Sequence, residues 1–122
     1  MRILHFEYSD FFRRVVHDMS VRLGYDYVGT SHGGDFGSMM ANQTFDVVIT
    51  GMALNDMDAE ALIDKIRASK WPDLPVVILT STNIADIHKR LKGLEFNDFI
   101  TKETLNLDVL KRCISRMEHL NS

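Results

Sequence analysis

Along these 122 residues, short apolar runs alternate with longer stretches of helical periodicity. Ile3-Leu4-His5-Phe6 reads as a strand. Phe12, Val15, Val16, Met19 and Leu23 then recur at the spacing of one helix face. Ser9 or Asp10 can cap that helix, and Gly24 follows its last apolar position, a usual stop. Residues 25–30 form a weaker strand pattern. Three glycines among residues 33–40 predict a short or poorly held helix, since each costs about 1 kcal/mol against alanine. Val47-Val48-Ile49 is continuous rather than alternating, as a strand buried on both faces requires. Asp58 caps a helix carrying Leu62, Ile63 and Ile66, which ends near Trp71-Pro72 because the residue before proline resists the α region. Residues 76–80 predict a fourth strand, 84–94 a fourth helix and 97–100 a fifth strand. Thr104 is the expected cap of a last helix with Leu107, Leu110, Ile114 and Met117 inward. Five such units predict an α/β fold, a parallel sheet covered by helices on both faces. Its working site belongs beyond the carboxyl ends of the strands. Those ends carry Glu7 and Tyr8, Gly51, Thr80, then Thr101 and Lys102.

Composition narrows the classes. The length suits one domain over residues 1–122, since a single core serves about 100–150 residues. No apolar run approaches the roughly 18 residues of a membrane span. Neither a leader at Met1-Arg2-Ile3-Leu4 nor a cysteine pair points to secretion, so a cytoplasmic location is expected, with Cys113 a small buried hydrophobe. A net charge of −3 argues against direct nucleic-acid binding. The five histidines are scattered without metal-ligand spacing, and His5 is expected as a satisfied buried or edge imidazole rather than a catalyst. Residues 83–122 carry 7 basic and 6 acidic side chains, against 7 and 11 before them, so the second half is locally basic.

Four strings resemble the response-regulator receiver family: residues 45–50 before the third turn, 57–62 opening the third helix, 75–81 through the fourth strand, and 97–102 through the fifth. The resemblance covers nearly the whole chain. It implies a five-stranded flavodoxin-like fold with strand order 2-1-3-4-5, working in bacterial two-component signalling. In that family a phosphoryl group passes from a kinase histidine to an aspartate at the end of the third strand, assisted by Mg²⁺ held by an acidic pair after the first. Thr80 and Lys102 match the phosphate donors, and Phe99 the switch aromatic. Glu7 matches the first acid, whereas Tyr8 replaces the second and Gly51 replaces the acceptor. Glycine has no oxygen to form an acyl phosphate, and one carboxylate seldom holds Mg²⁺ without substrate phosphates. Glu103 follows Lys102 where the family usually has a cis-bonded proline, so a trans bond is expected. Asn55 and Ala59 likewise replace a usual proline and glycine.

The resemblance and its departures together imply a degenerate receiver: no enzyme, Mg²⁺ binding lost or weak, and output set by protein contacts. Lys102 is expected to pair with Glu7, Thr80 to cap the fourth helix, close its strand or bind a ligand, and Tyr8 to fill space near the abandoned metal site. A second reading is anion or small-ligand sensing in a pocket vacated at Gly51. A third, an active phospho-receiver with a substitute acid, rests on Asp56 or Asp58, better explained as a solvated turn residue and a helix cap. Lys89, Arg90 and Lys92 with Lys111, Arg112 and Arg116 lie on the helix 4–strand 5–helix 5 surface that similar receivers use for dimerisation or output-domain contacts. Asp98, Glu103, Asp108 and Glu118 supply opposite charge there for a homodimer. The chain is read as a single domain, either alone or at the front of a longer regulator.

Overall fold

The computed structural model describes residues 1–81 and 83–120. Strands β1 (Arg2–Phe6), β2 (Asp26–Thr30), β3 (Val47–Thr50), β4 (Val76–Thr80) and β5 (Asp98–Thr101) form one parallel sheet in the order β2-β1-β3-β4-β5. Helices α1 (Asp10–Arg22), α2 (Phe36–Asn42), α3 (Ala59–Arg67), α4 (Ile84–Arg90) and α5 (Leu107–Leu120) connect and cover it. The predicted class and strand order are those observed.

Alternation along the strands builds two separate cores. Leu4, Phe6, Val48 and Ile78 face one layer, where they meet Phe36 of α2, Leu62 and Ile66 of α3, and Ile87 of α4. Ile3, Ile49, Val77 and Leu79 face the other, against Val16 of α1 and Leu110, Cys113 and Ile114 of α5. The inner strands β3 and β4 are buried at every position, which explains their unbroken apolar runs. β2 is an edge strand, half exposed, and reads weakly for that reason. Among the described residues no helix is long and apolar enough to cross a membrane.

Helix ends follow local polar chemistry. Ser9 Oγ accepts from the Phe12 amide at 3.2 Å, and Gly24 closes α1 with φ +79°. Asp58 caps α3 through the Ala61 amide at 2.9 Å, although that helix stops at Arg67, short of Trp71-Pro72. Two caps stand on other residues. Asn83 caps α4 (3.0 Å to the Asp86 amide) while Thr80 closes β4, the other role expected of it, and α4 stops at Arg90 with Gly93 at φ +87°. Asn106, not Thr104, caps α5 through the Val109 amide at 2.9 Å. Thr104 is used instead in a 3₁₀ turn over Lys102–Thr104, bonded to Thr101, which delays the helix. Leu107 is consequently half-buried, while Leu110, Ile114 and Met117 are inward as expected.

Strand register sets the site. Phe6 lies level with Thr50 and Thr30, Thr50 with Ile78, and Thr80 with Thr101. Glu7 and Gly51 therefore emerge side by side, the Gly51 amide donating to the Phe6 carbonyl at 2.9 Å.

Candidate functional site

Glu7 is 3% exposed despite its charge. Its carboxylate lies over Gly51: a Cβ at that position would stand 3.2 Å from Glu7 Oε1 and 3.4 Å from its carboxyl carbon. The volume expected to be vacant beside Gly51 is thus taken by a neighbouring strand's acid. Lys102, from the end of β5, places Nζ 3.1 Å from Glu7 Oε1, close enough for an ion pair though not in line for a hydrogen bond. The Ser9 amide donates to Oε2 at 3.1 Å. The Lys102 ammonium also sits 4.2 Å from the centre of the Phe12 ring, whose negative face favours it. The pairing of Lys102 with Glu7 read from the sequence is realised.

Around this pair opens a cavity of about 270 Å³, bordered by Glu7, Tyr8, Met52, Thr80, Ser81 and Lys102. A second hollow of about 470 Å³ adjoins it past Ser9, Phe12 and Glu103. Thr80 is buried and Phe99 half-buried, edge-on to His88 at 6.1 Å. Tyr8 is a correction: it is 64% exposed and stands at the rim rather than filling the pocket. It follows the inward Glu7 in a bend just past the end of β1. Arg13 holds that course by donating to the carbonyls of both Glu7 and Tyr8. The Lys102–Glu103 peptide is trans, as are all others among the described residues.

His5 is fully buried on the strand that delivers Glu7. Its Nδ1 is 2.6 Å from the Tyr27 hydroxyl, which donates onward to the Arg13 carbonyl at 3.0 Å. That direction assigns the hydrogen to Nδ1 and leaves Nε2 a lone pair without a partner. Burial, reinforced by the charges of Lys102 and Arg13, pushes the imidazole down to about 3. The same burial raises the Tyr27 phenol.

The proposed substitute acids are engaged elsewhere. Asp58 caps α3. Asp56 accepts from the amides of Gly33 at 2.8 Å and Gly34 at 2.9 Å, and these bonds, Gly34's foremost, hold its carboxyl below the usual range. This clasp between the β2–α2 and β3–α3 loops was missed in the sequence. Its trace is the glycine pair: a Cβ on Gly34 would lie 2.9 Å from Asp56 Oδ2, and one on Gly33 only 2.5 Å from Met57 Sδ. Asn55 adds bonds to Ser31 across the same gap.

On the helix 4–strand 5–helix 5 side, three of the expected interface cations are already paired within the chain. Arg90 meets Glu60 of α3 at 3.1 Å, Arg112 meets Asp108 at 3.1 Å, and Arg116 meets Asp98 at 2.5 Å. Lys89, Lys92 and Lys111 are exposed.

A five-stranded 2-1-3-4-5 sheet, with a lysine, a threonine and an acid gathered beyond its strand ends, defines a flavodoxin-like receiver architecture. Residues 3–114 match the response regulator receiver domain, and the chain belongs to that family of two-component signalling. It is 29% identical over 106 residues to a chemotaxis protein CheY homolog of Campylobacter jejuni, covering 84% of this chain and 81% of that one. Among solved structures, the receiver domain of a sensor histidine kinase from Pseudomonas aeruginosa PAO1 superposes with a TM-score of 0.86 at 21% identity, covering 99% and 98%. The chemotaxis response regulator CheY4 of Vibrio cholerae gives 0.83 at 18%, covering 95% and 97%. At these identities the superpositions speak for the fold alone.

The Pseudomonas structure carries magnesium in its active-site cleft. The residues at the matching strand ends here differ in chemistry. Gly51 offers no carboxylate, Tyr8 points to solvent, and Glu7 is committed to an ammonium. Among the described residues, no three His, Cys, Asp or Glu side chains converge.

Proposed function

We propose that this receiver works without aspartyl phosphorylation, as a non-enzymatic pseudo-receiver whose output is a protein contact. The observation that carries this reading is the occupation of the acceptor position. Gly51 has no side chain, and the Glu7 carboxylate lies against it, paired with the lysine that elsewhere in the family meets phosphate. Phosphoryl transfer needs an in-line nucleophile and a cation on the phosphoryl oxygens, and neither has a place here. The domain's partner is another signalling protein or an output domain in the cytoplasm, without direct nucleic-acid or membrane binding. Its contact surface is the face of α4, β5 and α5, where Lys89, Lys92 and Lys111 are exposed. A homodimer on that face would set those lysines against the exposed Glu103 and Glu118, because Asp98 and Asp108 are already matched by Arg116 and Arg112.

Incubation with acetyl phosphate and Mg²⁺, followed by intact-mass measurement, tests the reading. No phosphoryl mass should be gained. A stoichiometric adduct, on Glu7 or any other acid, overturns it.

A further inference from the structure

We infer that Glu7 is the pocket's own ligand: a tethered carboxylate that occupies an oxyanion-binding cradle and masks it. The inference rests on the phosphorylation-independent reading and deepens it. Three observations support it. The carboxylate is almost fully buried, which a charged group tolerates only with partners. Its partners are those an oxyanion would take, the Lys102 ammonium at 3.1 Å and the Ser9 amide at 3.1 Å. And it reaches them across Gly51, where a Cβ would already press on Oε1 at 3.2 Å.

The consequence is chemical. A carboxylate held on the same chain acts at a high effective concentration against any free anion. An entering phosphate would also meet like charge from a carboxylate that is itself buried. The cavity of about 270 Å³ beside the pair is large enough for a tetrahedral oxyanion, and Ser81 lies on its wall with Lys102. The intact protein therefore does not sense anions, whereas a chain without the Glu7 carboxylate has a site for inorganic phosphate. Glycine at position 51 and glutamate at position 7 form one unit: the missing side chain makes room for the acid that takes its place.

The test titrates inorganic phosphate against wild type, Glu7→Ala, and Glu7→Ala with Lys102→Ala, following heat stability and calorimetry. Glu7→Ser, which keeps a short oxygen near the Ser9 amide, serves as a second variant should the alanine form fail to fold. Wild type should not respond. Each folded Glu7 variant should bind phosphate at least about tenfold more tightly than wild type. The gain should vanish with Lys102→Ala. Reversible phosphate binding by wild type without a covalent adduct, or no gain in a folded Glu7 variant, overturns the masking role and leaves the phosphorylation-independent reading standing. A covalent adduct on wild type would instead remove that reading itself.

Discussion

Glu7 and Asp56 follow neighbouring strands, β1 and β3, at the same edge of one sheet, yet their charges are met by different means. Glu7 is enclosed and answered by another charge, Lys102, across the sheet. Asp56 is exposed and answered by two backbone amides, those of Gly33 and Gly34, across a loop gap. The first arrangement ties β1 to β5 and makes the pocket's interior depend on a matched pair. The second ties two surface loops, with water available to either partner. Burial, rather than the acid itself, decides how much of the fold each carboxylate governs.

The largest break in this comparison should come from Lys102→Met. It leaves a buried carboxylate unmatched and should cost about 3–5 kcal/mol in urea unfolding at neutral pH. Glu7→Gln should cost less, because the Lys102 side chain is 18% exposed and can carry its charge outward. The reverse order would contradict the enclosure of Glu7.

His5 sharpens the buried side of the comparison. Folded, its imidazole stays neutral down to about 3; unfolded, it takes a proton below its ordinary 6.5. Between those values the unfolded chain binds more protons, so stability present above pH 6.5 falls as the pH drops. The slope reaches about 1.4 kcal/mol per pH unit for one proton. His5→Leu should flatten the acid limb by up to that slope, and an unchanged limb would mean that His5 does not titrate on unfolding.

The smallest effect belongs to Asp56→Ala. Amide hydrogen exchange at Gly33 and Gly34 should quicken while the urea midpoint scarcely moves. A large fall in the midpoint would show that the loop clasp supports the whole sheet.

Most of the architecture is legible in the chain, because apolar runs such as Val47-Val48-Ile49 can only be buried strands and the helical stripes between them leave few topologies. Helix ends are less legible where several capping residues crowd together. Thr80 and Thr104 are plausible caps, but Asn83 and Asn106 lie nearer the first free amides once the turns are formed. At the site, the Lys102–Glu7 pair is readable from charge and strand order. That Glu7 reaches over Gly51 is not, because linear spacing contains no cross-strand distance and an empty position looks like an empty volume. The outward course of Tyr8 is equally hidden in the sequence, because it depends on Arg13 reaching back to the Glu7 and Tyr8 carbonyls. The Asp56 clasp left a trace in Gly33-Gly34, which denotes close approach only when the facing loop is known.

The chain has one tryptophan and one cysteine, and they fall on opposite sides of the sheet. Trp71 packs edge-on to Phe36 at 6.0 Å, against the layer of α2, α3 and α4. Cys113 is buried in the layer of α1 and α5, its thiol pushed up to about 12 by that burial. Indole emission therefore follows one layer and thiol protection the other, so the loosening of each half can be timed separately without attaching a label.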